Sequence, residues 1–284
     1  MLDYIIIIIS LIWLVFAIIY DFKTREVPDW LSYSFIAIAI SINLIYSLII
    51  KDFSILLLSL IGFFVFGAIG MLLYYLKQWG GGDAKLLMGV GAMFANYPLS
   101  LINIFNPNLD ISFLAILFVN IMFFGAIYGI VYIIMLAIIN RNKIKKLSIN
   151  DSKYKFYILI AIILMVLTIF IKETNLRLLM IILIILALII PKLIILVNIV
   201  EKNCMYKSIL ISKLTEGDWI KDSIKIKGKL IYNNKSLGIK KEQIEQLKKY
   251  KLKHVTVKYG VPFAVSFLLG LAISLIFGNI LIPI

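Results

Sequence analysis

The sequence predicts an all-α polytopic membrane protein of about eight transmembrane helices, with a small α+β domain before the last helix. Of the 284 residues 62% are hydrophobic and the mean hydropathy is +1.03, whereas ordinary soluble domains are about half apolar. Apolar runs near the ~20 residues that a helix needs to cross the hydrocarbon recur along the chain. One polar stretch, residues 201–259, is long enough to fold as a separate domain.

Hydropathy places the membrane spans between short polar segments. We predict spans at residues 4–20, 31–50, 53–76, 86–105, 112–139, 156–172, 178–200 and 261–281. The fourth is expected to be one continuous helix. Pro191 and Lys192 interrupt the seventh, which is therefore expected to be the least regular helix.

The distribution of positive charge predicts the orientation. The formal net charge is +14, but 25 of the 29 Lys and Arg residues fall in alternate loops, at 21–30, 77–85, 140–155 and 201–259. The positive-inside rule makes these loops cytoplasmic and puts both termini outside. Because the basic residues alternate with apolar spans, we expect their partner to be the lipid bilayer and not a nucleic acid.

The polar stretch shows the pattern of a compact β-α-β unit. Alternation at 223–227 predicts a strand, continued by 229–232 into a turn. Helical spacing of apolar residues predicts a helix at 240–250, and 254–258 predicts a last strand. We expect the unit to lie against the cytoplasmic leaflet.

The sequence contains few side chains that could bind a metal ion or form a disulfide. Cys204 is the only cysteine and His254 the only histidine. An intrachain disulfide and a thiolate zinc cluster are excluded. We expect no metal and no cofactor.

Two acidic residues stand at the edges of predicted spans, where a charge is costly. Asp21 ends the first span and Asp83 comes between the third and fourth. The loop assignment puts both at one membrane edge. Two adjacent carboxylates hold one proton between them, and such a pair can hydrolyse a peptide bond with water as the nucleophile. Alternatively, the two acids relay protons or bind a cation in a transporter.

Glycines precede the second aspartate in the run Gly80-Gly81-Gly82-Asp83. Glycine allows close approach of backbone to a neighbouring helix or to an extended substrate. The plainer interpretation is a flexible turn with Asp83 as the N-cap of the fourth span. Trp30 and Trp79 are interpreted as interfacial aromatic anchors.

These motifs resemble a known family. The Gly-x-Gly-Asp run, continued by Ala84-Lys85, and an aspartate ending the first helix before basic residues and Val27-Pro28 are similar to the two motifs of archaeal type IV prepilin and preflagellin peptidases. The residues at 214–219 and 260–263 resemble the C-terminal region of archaeal members.

The resemblance implies a membrane aspartic endopeptidase. It makes Asp21 and Asp83 the catalytic pair and Gly80, Gly81 and Gly82 the glycines that shape the second motif. The implied partners are prepilin or preflagellin-like precursors, whose short basic leader is removed at the cytoplasmic face of the cell membrane.

The chain is expected to divide into four segments. They are a catalytic membrane domain at 1–140, two further helices with a cytoplasmic loop at 141–200, the small domain at 201–259, and a last helix at 260–284. A single cysteine departs from the cysteine-rich segment of bacterial members.

Charged residues near the motifs have two interpretations. Glu26 and Asp29 would suit the basic leader of a substrate, and Lys85 would lie beside the catalytic pair or contact substrate. Solvated loop charges and positive-inside anchors explain the same residues. Asp218 is interpreted as a turn former rather than a third acid.

Overall fold

The computed structural model describes residues 2–144, 152–226, 228–250 and 252–280. Helices dominate it. The α-helices are α1 Leu2–Thr24, α2 Asp29–Ile50, α3 Ser54–Tyr75, α4 Gly81–Met93, α5 Ile102–Phe105, α6 Phe113–Ile139, α7 Arg141–Ile144, α8 Ser152–Phe170, α9 Thr174–Cys204, α10 Lys241–Lys249 and α11 Ala264–Phe277. The strands are β1 Tyr206–Leu210, β2 Trp219–Ile220, β3 Ile224–Ile226, β4 Lys229–Tyr232 and β5 His254–Lys258.

Length and composition confirm a multi-pass membrane fold. Among the described residues, α1, α2, α3, α6 and α9 are long and apolar enough to cross a membrane, and the apolar part of α8 and α11 are shorter. Uniformly apolar helices suit lipid because their backbone groups are bonded within the segment. Part of the predicted 140–155 loop and the end of the eighth span lie outside the described residues.

The fourth predicted span is not the continuous helix expected at 86–105. Helix α4 begins at Gly81 and ends at Met93; an irregular segment, a 3₁₀ turn at Leu99–Leu101 and α5 follow. Pro98 lacks an N–H and disfavours helical backbone at the residue before it, which favours the irregular segment between α4 and α5. Thirteen residues span only ~20 Å, and most of α4 is buried among its neighbours.

The expected interruption of the seventh span is also wrong. Helix α9 runs unbroken for 31 residues with Pro191 inside it. Neighbouring groups in a membrane bundle can satisfy the backbone that proline frees, so a proline does not have to end such a helix. At ~46 Å the helix is longer than the hydrocarbon core and carries the chain towards the small domain.

Close helix contacts build the bundle around α4. It packs against α2 and α3, while α6 packs against α11 and α11 against α1. A polar contact crosses this core where Asn43 Nδ2 and Ser59 Oγ donate to the carbonyl of Ala92 at 3.2 and 2.8 Å. Helices α8 and α9 form a pair that joins the bundle through α6.

Alternate loops meet at opposite ends of the bundle, as predicted. At one end, Arg25 Nη1 lies 3.5 Å from the carbonyl of Gly260 and Lys77 Nζ donates to the carbonyl of Lys235. At the other end, Asn108 bridges Gly278. The assignment of the first end to the cytoplasm stays a prediction.

The small domain is α+β, but its strands are not arranged as β-α-β. Strands β1, β5 and β2 form an antiparallel sheet in that order, and β3 pairs with β4 as an antiparallel hairpin. The predicted single strand across 223–232 is therefore two strands. Gly228, with φ of 79°, takes the left-handed conformation that lets the chain reverse between them. The short strands β1 and β2 were not predicted.

Candidate active site

Helix α1 directs Asp21 into the bundle. The buried positions of this helix are Ile6, Ser10, Leu14, Ala17 and Asp21. Their spacing of three or four residues defines one helix face. Asp21 is the last member of that face and is only 6% exposed, so it is buried against protein although it lies near the end of the helix.

The carboxylate of Asp21 binds the beginning of the last described helix. The backbone N–H of Ala264 donates to Asp21 Oδ2 at 2.9 Å, and Ala264 is the first residue of α11. The first N–H groups of a helix have no partner within the helix, and the helix dipole there favours a negative charge. The contact therefore both orients the Asp21 carboxylate and stabilises its ionised form.

Asp83 lies in the first turn of α4. Gly80 is the N-cap, with extended backbone, and its N–H donates to Asp83 Oδ2 at 3.2 Å. The expectation that Asp83 is the N-cap is therefore wrong, because the helix begins two residues earlier. Asp83 is a partly buried residue, and the charge of Asp21 reaches its carboxyl group. The structure thus places the two predicted residues at the same end of the bundle.

The three glycines differ in how much room they leave. A Cβ on Gly82 would lie 2.8 Å from the carbonyl oxygen of Val27, whereas one on Gly81 would meet only the Tyr74 ring at 3.6 Å. A Cβ on Gly80 would lie 3.3 Å from Asp83 Oδ2. Gly82 is therefore the position at which α4 approaches the loop after Asp21 most closely.

Trp79 is not the interfacial anchor that its position predicted. Its side chain is buried, and its ring centroid lies 5.0 Å from that of Phe263 and 5.6 Å from that of Phe267. This aromatic cluster joins the loop before Asp83 to the start of α11. Hydropathy places a tryptophan near the interface but does not tell whether it faces lipid or protein.

Lys85 is engaged beside the site. Its Nζ lies 2.6 Å from Asp29 Oδ1 and 4.8 Å from the centre of the Tyr33 ring. The pair links the first turns of α4 and α2. Lys85 therefore already compensates the negative charge of Asp29.

Glu26 faces the small domain. Thr215 Oγ1 donates to Glu26 Oε1 at 3.2 Å, and Asp218 closes the same turn by accepting the N–H of Thr215 at 2.8 Å. The turn-forming interpretation of Asp218 is therefore confirmed. Although Glu26 is exposed overall, loss of water around its carboxyl group and the nearby charge of Asp218 raise its pKa to about 7.

Sequence reasoning gave no site role to the chain's far end, although residues 260–263 resemble the C-terminal region of archaeal family members. Ala264 binds Asp21, and Phe263 directly precedes it. Tyr128 lies in an apolar stretch that carries no signal for a site. Among the described residues, no group of three or more His, Cys, Asp or Glu side chains could hold a metal ion.

The comparisons with known proteins cover the helices that carry both aspartates. Residues 8–130 match the model of the type IV leader peptidase family. These residues are therefore similar to that family. Both Asp21 and Asp83 lie within the matched residues, whereas Ala264 lies beyond them.

Archaeal relatives give the same result. The chain is 34% identical over 122 residues to a preflagellin peptidase of Methanococcus maripaludis, covering 41% of this chain and 52% of that protein. It is 37% identical over 90 residues to one of Methanocaldococcus jannaschii, covering 32% and 38%. It is 27% identical over 154 residues to one of Methanococcus voltae, covering 54% and 64%.

The chain thus spans about half the length of the curated relatives it matches. No solved structure matches it. Neither the family nor these relatives favour the transporter alternative.

Proposed function

We propose that this protein is a membrane aspartic endopeptidase that removes short basic leader peptides from prepilin or preflagellin-like precursors. The observation that carries the proposal is the position of Asp21 and Asp83 at one end of the helix bundle, where Gly82, next to Asp83, packs against Val27 in the loop after Asp21 and the charge of Asp21 reaches Asp83. The match of residues 8–130 to the type IV leader peptidase family supports the same reaction, and the preflagellin peptidases among the relatives support the substrate class.

The chemistry follows from one proton shared by two carboxylates. The charge of one carboxylate disfavours ionisation of the other, so the pair holds one carboxylate and one carboxylic acid. The ionised partner takes a proton from water while the water oxygen bonds to the scissile carbonyl carbon. When the C–N bond breaks, the leaving nitrogen takes a proton from the pair and the acyl carbon becomes a carboxylic acid.

The surroundings of the pair suit a membrane-anchored substrate. Both carboxylates lie at the end of the bundle where the beginning of α4 approaches Val27, in the loop after α1. A precursor whose apolar helix lies in the bilayer would present the bond before that helix at this depth. A protein that binds such a substrate needs no deep soluble pocket.

Glu26 is proposed to attract the basic leader. Its carboxylate and that of Asp218 repel each other across Thr215, and a Lys or Arg placed between them would relieve the repulsion. Asp29 is a weaker candidate because Lys85 already neutralises it. Lys85 itself is proposed to shape the motif by tying α4 to α2.

The test is cleavage of a precursor that carries a basic leader, by protein purified in detergent. Asp21→Asn and Asp83→Asn are each expected to abolish cleavage while leaving the thermal unfolding midpoint nearly unchanged. Asp110→Asn is the matched control, because Asp110 is exposed at the opposite end of the bundle. Full cleavage by either active-site variant would exclude the aspartic mechanism.

The proposed sidedness has its own test. In a Cys204→Ser background, a cysteine at Asn108 is expected to react with a membrane-impermeant reagent on intact cells. A cysteine at Asn234 is expected to react only after permeabilisation. The reverse labelling would place the active site outside.

A further inference from the structure

Tyr128 lies on α6, close to the beginning of α11. Gly125, Tyr128 and Tyr132 follow one another at helical spacing on one face of α6. A Cβ on Gly125 would lie 2.6 Å from the Phe263 ring, and the Tyr132 ring lies under the Arg25 guanidinium, 5.7 Å from its centre.

Both of these contacts border Asp21. Phe263 directly precedes Ala264, whose N–H binds Asp21, and the N–H of Arg25 donates to the carbonyl of Asp21 at 2.9 Å. The phenol of Tyr128, between the two contacts, feels the charges of both Asp21 and Arg25. Tyr128 therefore lies on the face of α6 that packs against Phe263 and Arg25, the neighbours of Asp21.

The hydroxyl of Tyr128 is buried and has no hydrogen-bond partner among the described residues. Three buried serine hydroxyls share that property, those of Ser32, Ser100 and Ser266. A serine in a helix can satisfy its hydroxyl by rotating towards a carbonyl one turn earlier. A tyrosine hydroxyl lies far from its own backbone, so its partner has to come from elsewhere.

Burying an unpartnered hydroxyl destabilises a protein. A phenylalanine would fill the same space at no such cost. We therefore expect the hydroxyl to serve the reaction and not the stability of the fold. The reacting groups nearest to it are those of the aspartate pair.

We propose that Tyr128 is a third catalytic residue, whose hydroxyl donates a hydrogen bond to the carbonyl oxygen of the peptide bond being cut. This inference rests on the proposed peptidase function. When water adds to the carbonyl carbon, that oxygen gains negative charge and the hydrogen bond strengthens. When the C–N bond breaks, the oxygen returns to a carbonyl, and Tyr128 keeps its proton throughout.

The two aspartates are occupied with proton transfer. The pair starts with one proton, accepts a second from water and gives one to the leaving nitrogen. A neutral donor fixed beside Asp21 adds a hydrogen bond to the developing oxyanion without taking part in these transfers.

The experiment compares Tyr128→Phe with Tyr132→Phe in the precursor-cleavage assay, with kcat, KM and the thermal unfolding midpoint measured for each. Loss of a single donor to a developing oxyanion lowers kcat by about 100-fold or more. We expect that loss in Tyr128→Phe, with little change in KM. Its unfolding midpoint should stay the same or rise, because the hydroxyl removed has no partner in the fold.

Tyr132→Phe keeps the ring beneath Arg25 and is expected to retain wild-type kcat. The proposal is overturned if Tyr128→Phe cleaves at the wild-type rate. It is also overturned if the loss of kcat comes with a comparable fall in the unfolding midpoint, or if Tyr132→Phe loses as much activity. Failure of the proposed function would show itself differently, as cleavage that survives Asp21→Asn.

Discussion

The backbone N–H of Ala264 donates a hydrogen bond of 2.9 Å to Asp21 Oδ2, joining the first helix to the helix that begins 243 residues later. Ala264 lies outside residues 8–130, which match the leader peptidase family. The site therefore depends on a helix beyond the family domain. That dependence can be tested through the side chains that place the beginning of α11.

Gly125→Ala is expected to disturb Asp21 from a distance. The new Cβ would lie 2.6 Å from the Phe263 ring and 3.1 Å from Ser266 Oγ, and Phe263 is held in turn by Trp79. Overpacking costs about 1–3 kcal/mol. We expect a lower unfolding midpoint and a kcat reduced by about tenfold, a change of about 1.4 kcal/mol in the barrier.

The matched control is one helical turn away. A Cβ on Gly129 would meet no atom within 4 Å. Gly129→Ala should leave cleavage unchanged and stabilise the helix by up to about 1 kcal/mol. Equal effects of the two substitutions would show that glycine itself, and not the contact with Phe263, is what α6 requires.

Gly82→Ala is expected to impair cleavage far more than Gly81→Ala. The Cβ of Gly82→Ala would approach the backbone oxygen of Val27 at 2.8 Å, and backbone cannot yield as a flexible side chain does. Asp83 would move away from Asp21, with a loss in kcat of at least about tenfold. The contrast is read from initial cleavage rates, and wild-type activity in Gly82→Ala would contradict the close approach of α4 to the loop.

Gly62→Ala is expected to destabilise the bundle without touching the site. Its Cβ would overlap the carbonyl of Gly91 and lie 3.2 Å from Ala95 Cβ, whereas that of Gly67→Ala would meet the flexible Met88 side chain at an ordinary 3.6 Å. Thermal unfolding in detergent should report a loss of about 1–3 kcal/mol for Gly62→Ala. Gly67→Ala is expected to stay within about 1 kcal/mol of wild type, and a reversed order would refute the tight contact of α3 with α4.

Raising the pH is expected to weaken the contact of Glu26 with the small domain. The pKa of Glu26 is raised from 4.5 to about 7, first by loss of water and then by the charge of Asp218. The folded protein therefore holds a proton that the unfolded chain has released. The resulting stability is fully present below about pH 4.5 and is lost as the pH rises through about 7.

Unfolding midpoints measured from about pH 5 to about pH 8 should fall for the wild type. Glu26 should contribute no more than about 1 kcal/mol to the loss in the free energy of unfolding, because it is partly exposed to solvent. Glu26→Gln should reduce the slope by that part, and the aspartate pair accounts for the rest. Glu242→Gln, an exposed carboxyl in α10, is the control. An unchanged slope in Glu26→Gln would assign the pH dependence to other groups.

The sequence by itself determined that the chain has a multi-pass membrane fold. It also singled out Asp21 and Asp83 and placed both at one membrane edge. Hydropathy reflects the free energy of transferring each segment from water into lipid. The alternation of spans then places Asp21 and Asp83 at the same end. Both signals are local, so they survive without knowledge of packing.

Only the tertiary structure decided which surfaces meet. Whether Trp79 faces lipid or protein, where α4 stops, and which backbone group binds Asp21 all depend on contacts between residues far apart in the chain. An apolar side chain has the same transfer energy whether lipid or another helix covers it. The hydrogen bond from Ala264 and the position of Tyr128 therefore had no trace in the sequence pattern.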